Sequence, residues 1–315
     1  MSREKVRVLV TGASGLLGSA VKELLHYSNK YELLCPTREE MDCLDFNSVD
    51  AYFKKTEPNI IIHLAATVYG LKGNLDNQML ALINNTKIDN NIFHAISLNR
   101  DFISKIFYAG TVAAYNYPYQ RLPLKEEFLL DGNPHFGEYG YAMAKRHALA
   151  YLNILKRNHG VDFIYGVMTN LYGPNDRFNT ENGHVIPSLL LKAHGANESR
   201  SPLIVWGRKE TTRDFLYSLD AAKIIINLLE SSYSGIINIA SGKESTMEDL
   251  VKEIVKLFPE IPTFSFDSEK PVGIPKRSVD VSKLEQLGFL SGIHSLKDGL
   301  KETVDWLYRQ SIIRK

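Results

Sequence analysis

Short runs of consecutive apolar residues alternate with longer stretches whose apolar positions recur every three or four residues. Six of the runs read as strands: 6–11 (VRVLVT), 31–35 (YELLC), 59–64 (NIIIHL), 105–109 (KIFYA), 161–168 (VDFIYGVM) and 236–241 (IINIAS). Apolar strands without polar alternation belong in a parallel sheet covered on both faces. Helical patterns fill the intervals. One runs through Val21, Leu24 and Leu25, one starts near Ser48, and a long one covers about 77–98. Others carry residues 141–145, open at 184–187 and begin at Asp220. This alternation predicts an α/β fold built on a doubly wound parallel sheet.

Composition narrows the class. A chain of 315 residues with 44% hydrophobic and 23% charged content can bury a full core, as one large domain or two unequal ones. A formal net charge of +1 argues against nucleic acid or an anionic membrane as a partner. Two cysteines, Cys35 and Cys43, exclude a disulfide scaffold and fit a reducing compartment. The first strand at Val6 leaves no room for a signal peptide, and no apolar run approaches membrane-spanning length. A cytoplasmic protein without a metal is expected.

The first strand runs into Gly12, Gly15 and Gly18, and a helical pattern follows at once. Strand, glycine turn and helix form the setting of a dinucleotide-binding loop, here with G-x-x-G-x-x-G spacing. Gly12, Ser14, Gly15, Leu16, Leu17 and Gly18 would cradle the pyrophosphate on free helix N–H groups. After the second strand, the place of an acid that would hold a ribose 2′-hydroxyl is taken by Thr37 and Arg38. A guanidinium suits a 2′-phosphate, so NADP(H) is favoured over NAD(H). The alternative for Arg38 is a surface pair with Glu39 or Glu40. Asp45 would either reach the adenine amine or cap the helix near Ser48. Leu64, Ala65 and Ala66 offer small residues for close cofactor approach, and His63 reads as a core histidine.

Thr111 falls at the carboxyl end of the fourth strand, where open α/β sheets place their chemistry. Tyr141 and Lys145 lie four apart on a helix, one turn from each other on the same face. A nearby ammonium would push the phenol below its ordinary pKa and make it a proton donor to a carbonyl. Order and spacing of Thr111, Tyr141 and Lys145 fit the Ser/Thr–Tyr–Lys triad of short-chain dehydrogenases. The segments between 171 and 216 and beyond 257 exceed what a bare nucleotide fold needs. Residues 1–170 with about 217–257 are therefore assigned to a cofactor domain. About 171–216 with 258–315 form a smaller, interleaved lobe for an extended anionic substrate.

The chain resembles the extended short-chain dehydrogenase/reductase superfamily, and within it the GDP-L-fucose synthase family. The likeness runs nearly end to end. It rests on GASGLLGSA at 12–20, TREEMDCLD at 37–45, YAMAK at 141–145, TNLYGPND at 169–176, HVIPSLL at 184–190, and VWG and RDFL within 205–216. That family uses NADPH to epimerise a GDP-linked 4-keto-6-deoxy sugar at C3 and C5 and then reduce C4. By position, the resemblance makes Tyr141 the acid, Lys145 its tuner and ribose ligand, and Thr111 the carbonyl holder. Ala109, Gly110, Val112, Met168, Thr169, Asn170, Leu171 and His184 would follow the cofactor. Thr111, Asn170, His184, Val185, Lys192, Trp206, Arg213 and Lys276, or Arg277 beside it, would face the GDP-sugar. A homodimer through a four-helix bundle is implied as well, from the helix of Tyr141 and the helix near 77–98.

Two departures matter. The family's epimerising cysteine, two residues after the Ser/Thr, is replaced by Ala113, whereas His184 of H-V-I-P remains. A methyl group cannot abstract a proton, so ketone reduction without epimerisation is expected. Ser14 stands where some relatives carry an arginine near the adenosine phosphate, which weakens the NADP preference without reversing it. The open alternatives are a bifunctional epimerase–reductase, an NAD-dependent nucleotide-sugar 4-epimerase or dehydratase, and a non-catalytic NADP sensor. Hexose and heptose substrates both stay open.

Overall fold

All six apolar runs pair into one sheet. A computed structural model describes residues 5–180, 183–269 and 273–314. Its strands are β1 (Val6–Thr11), β2 (Tyr31–Leu34), β3 (Ile60–His63), β4 (Lys105–Thr111), β5 (Asp162–Met168), β6 (Asn170–Tyr172), β7 (Leu203–Trp206), β8 (Thr212–Tyr217), β9 (Gly235–Ile239), β10 (Glu244–Thr246) and β11 (Phe264–Asp267). The main sheet has the order β2-β1-β3-β4-β5-β9, parallel throughout. Its direction of winding reverses between β1 and β3, so the crevice that takes ligands in such sheets opens at their carboxyl ends. β4 outruns its apolar pattern by two residues, because Gly110 and Thr111 still pair with Val167 and Met168.

The helices are α1 (Leu16–His26), α2 (Phe46–Thr56), α3 (Leu71–Asp76), α4 (Gln78–Leu98), α5 (Tyr139–His159), α6 (Val185–Ser199), α7 (Ser218–Glu230), α8 (Met247–Val255), α9 (Ser282–Gln286) and α10 (Leu296–Arg309). Val49 and Phe53 of α2, Ile92 and Phe93 of α4, and Leu149 and Leu152 of α5 pack on one sheet face. Leu17 and Val21 of α1, with Ile224 and Ile225 of α7, close the other. The long helix and the helix of Tyr141 thus lie side by side on one face. A third core joins α6, α8 and α10 to two small sheets, β10-β8-β6 and β11-β7. Among the described residues no helix is long and apolar enough to cross a membrane.

One glycine couples the sheet to the helix of Tyr141. A Cβ on Gly110 would fall inside the ring of Tyr165, which is fully buried on β5 and donates its hydroxyl to the Lys145 carbonyl at 3.1 Å. Displacing that ring disturbs α5 at the level of Lys145. Gly110→Ala is expected to cost about 1–3 kcal/mol, as overpacked cores do. Urea denaturation checks this, and activity should fall further than stability alone explains.

Candidate active site

The glycine loop closes the carboxyl end of β1. Gly12 has φ +70°, and a Cβ there would stand 2.9 Å from the Ala65 nitrogen, so β1 meets the end of β3 too closely for any side chain. Gly15 caps α1 without a side-chain hydrogen bond, and the first turn holds no acid. Gly12, Ser14 and Gly15 are exposed. A bare, exposed helix N-terminus of this kind fits a diphosphate. Leu64 and Ala65 are pinned alongside by their N–H groups, which both donate to the Thr11 hydroxyl at 3.1 Å.

At the adenosine end, Arg38 is 76% exposed and pairs with Asp42 at 3.5 Å, not with Glu39 or Glu40. Glu40 instead accepts the Thr37 N–H at 2.7 Å, closing the turn after β2. An exposed pair of this type holds the guanidinium weakly, so it can turn to a phosphate. Asp45 caps α2, accepting from the Asn47 N–H at 3.1 Å. The capping alternative therefore describes its side chain, and an adenine contact would compete with that cap. Burial raises the thiols of Cys35 and Cys43, the latter to about 11.

Thr111, Tyr141 and Lys145 converge where β4 ends. The Thr111 hydroxyl accepts from the Ala113 N–H at 3.2 Å, capping the turn Val112–Ala114 that follows. Ala113, in the family's cysteine position, is buried beside it. Lys145 is only 2% exposed, and its Nζ lies 4.4 Å from the Tyr108 ring centroid but 5.8 Å from that of Tyr141. The expected lowering of the phenol pKa is not found. Burial, then the carboxylates of Asp89 and Glu138, push Tyr141 well above its ordinary value, and a hydrogen bond with Thr111 only partly offsets them. Lys145 is pulled down by burial, with Asp89 opposing. Pattern reading weighed one neighbour a helical turn away, and burial outweighs it.

Cations stand near this group, contributed by β8 and by the segment after β11. Arg277 is buried, donating to Glu138 at 2.6 Å and to the Tyr119 hydroxyl at 2.7 Å. Burial works against the Glu138 carboxylate, yet Arg277 more than offsets it and holds its pKa low. Arg213 stands close enough to feel Arg277. Burial and that like charge bring it down to about 10, still cationic at neutral pH. Lys276, favoured over its neighbour on sequence, instead pairs with Glu244 at 3.0 Å and is half-exposed. Its main chain bridges Thr212, which turns the next side chain, Arg277, inward. Lys192 sits over the Trp206 ring at 3.7 Å, and that ring is 51% exposed.

His184 stands before α6 with Val185 exposed beside it. Its Nδ1 lies 3.2 Å from Oδ1 of the buried Asp176, whose hydrogen bond raises the imidazole pKa against burial. Thr169 and Asn170 follow Met168 at the end of β5, and Leu171 continues into β6. The Thr169 hydroxyl and the Asn170 amide both donate to the Asp214 carbonyl, at 2.9 and 3.0 Å, so these side chains tie β6 to β8. Asp89, Glu138 and Tyr119 were not singled out from sequence. Asp89 left a trace, for it is a charged residue on the apolar side of α4, one turn from the buried Asn85.

Comparison with known proteins agrees with this geometry. Residues 8–240 match the NAD dependent epimerase/dehydratase family. The chain is 33% identical to GDP-L-fucose synthase 1 of Arabidopsis thaliana over 312 residues, covering 97% of this chain and 94% of that relative. It superposes on a GDP-L-fucose synthetase from Naegleria fowleri bound to NADP with a TM-score of 0.88 and 26% identity, covering 100% of this chain and 98% of that one. It is similar also to MlghC, a GDP-mannoheptose C4 reductase from Campylobacter jejuni with NADP bound, with a TM-score of 0.85 and 26% identity over 96% and 98% of the two chains. On its fold, its glycine loop and the span of the match, the chain belongs to the NAD dependent epimerase/dehydratase family.

Proposed function

We propose that this protein is an NADPH-dependent oxidoreductase that reduces the C4 ketone of a GDP-linked 4-keto-6-deoxy sugar, hexose or heptose, without epimerising C3 or C5. The observation that carries the reading is a Thr–Tyr–Lys group at the end of β4 with the methyl of Ala113 beside it. Bound NADPH supplies the hydride. Thr111 orients the carbonyl oxygen, Tyr141 hands it a proton, and Lys145⁺ steadies the phenolate left behind. The phenol is protonated at neutral pH, so its proton is in place before reaction. Its raised pKa makes it the weaker acid, however, and leaves the charge of the phenolate to be met by Lys145⁺ and Thr111.

The loop 12–18, residues 64–66, 109–112 and 168–171, and Arg38 at the 2′-phosphate hold the cofactor. Arg213 and Arg277 take the diphosphate of the nucleotide sugar, with Lys192 and Trp206 toward its nucleoside. His184 adds a hydrogen bond in the pocket. Residues 1–170 with 217–257 serve the cofactor, and the interleaved remainder serves the substrate. Met79, Leu80 and Ile83 of α4 and Ile154 of α5 are exposed, which suits a homodimer built on these two helices. Sedimentation at micromolar concentration should give twice the chain mass.

With NADPH and a GDP-4-keto-6-deoxy hexose or heptose, absorbance should fall as the cofactor is consumed. Tyr141→Phe should lower kcat about 10²–10⁴-fold with NADPH affinity unchanged. Retained activity in that variant would overturn the assignment. In deuterated water the product of the native enzyme should carry no deuterium at C3 or C5, and wash-in there would end the reduction-only reading. Ala113→Cys, which returns a thiol to the position beside Thr111, should introduce exchange. Arg38→Ala should cost about tenfold in kcat/KM for NADPH while leaving NADH within about twofold, in keeping with one lost charge-assisted phosphate contact.

A further inference from the structure

Beneath the triad lies a buried polar chain to which none of the steps above assigns a part. Thr11 ends β1, His63 ends β3, Asp89 sits on α4 and Tyr108 on β4, and all four are essentially inaccessible. The Thr11 hydroxyl oxygen already accepts two main-chain N–H groups, from Leu64 and Ala65. A hydroxyl oxygen has two lone pairs, so its own proton must be donated, and Nδ1 of His63 is the acceptor at 2.7 Å. His63 is then the neutral tautomer, and its Nε2–H donates to Asp89 Oδ1 at 3.0 Å. The Tyr108 hydroxyl donates to Asp89 Oδ2 at 2.7 Å.

Two neutral donors stabilise the Asp89 carboxylate without cancelling its charge. A buried carboxylate calls for a cation, and His63 is not one. The groups around Lys145 and Tyr141 can be taken element by element: Asp89 on α4, neutral His63 bonded to it from β3, Tyr108 on β4, Tyr165 on β5, and Glu138 just before α5, which acts on Tyr141. Glu138 is committed to Arg277. Arg146, next along α5, donates to the carbonyls of Ala114, Asp131 and Gly132 instead. That leaves Asp89 as the charge acting on the Lys145 ammonium, which lies against the ring of the tyrosine that holds Asp89.

We propose that Asp89 is a positioning residue of this reductase, its carboxylate fixed by His63 and Tyr108 so that Lys145 stays an ammonium and Tyr141 a neutral phenol until the ketone is bound. The assignment rests on the reductase reading given above. One negative charge serves both groups, because it opposes loss of either proton. The same chain ends at the Thr11 hydroxyl that pins Leu64 and Ala65.

Asp89→Asn keeps the shape and removes the charge. With ¹³C at the lysine Cε carbons, Lys145 should titrate about one unit or more lower in Asp89→Asn than in the native protein. The basic limb of the kcat–pH profile should move down with it, since Lys145 and Tyr141 both release protons more easily. Asp89→Glu should return the limb toward its native position. A kcat that falls while neither titration nor limb moves would mean a purely structural role and overturn the proposal. A shifted lysine titration in a protein that reduces no keto-sugar would sink the substrate reading and leave Asp89 in its role. Should Asp89→Asn fail to fold, the ¹³C signal of the native Asp89 carboxyl decides: an ionised group at pH 7 is expected, and a protonated one overturns the proposal.

Discussion

A lysine ammonium kept inside the fold sets the terms for the rest of this structure. Water is a better solvent for that charge than any protein interior, so its surroundings must supply what was lost. Lys145 has an aromatic face, a phenol one turn away and a carboxylate on the neighbouring helix. That carboxylate needs donors of its own, which come from strands β3 and β4. The requirement passes outward, from α5 to α4 to the sheet and finally to the loop after β1. Packing of α4 against α5 is thus more than apolar burial, because it brings the counter-charge to the lysine.

The second lobe meets a different demand. Arg213 stands close enough to Arg277 to feel its charge, with one carboxylate, Glu138, paired to Arg277 and acting on both, so the group carries a net positive charge. Such an arrangement is poorly satisfied until an anion arrives. Small sheets and helices with a core of their own stand beside it, apart from the main sheet.

Much of this was legible in the chain. The six strands of the main sheet and the long helix appear in the apolar pattern because burial on both faces leaves no polar interruptions. Thr111, Tyr141 and Lys145 were found because strand ends and i,i+4 spacing are local facts. What escaped was set by distant partners. Arg277 and Lys276 are adjacent in an irregular segment, and no periodicity says which turns inward. The phenol of Tyr141 was given the wrong direction because burial and two remote carboxylates are invisible to a count along one helix. Asp89 draws its meaning from four separate elements. β6 and β10, three residues each, are too short to leave a pattern.

The bridge from Glu138 to Arg277 has a consequence for how the protein comes into being. Glu138 lies just before the first turn of the helix that presents Tyr141, yet its partner follows 139 residues later, after the last strand of the main sheet. During synthesis the cofactor loop and all six strands of the main sheet emerge before that arginine does. A nascent chain can therefore have its nucleotide crevice built while the acid beside its proton donor is still uncompensated. Closure of the sheet therefore does not complete the site, which waits for the arginine that follows it in the chain.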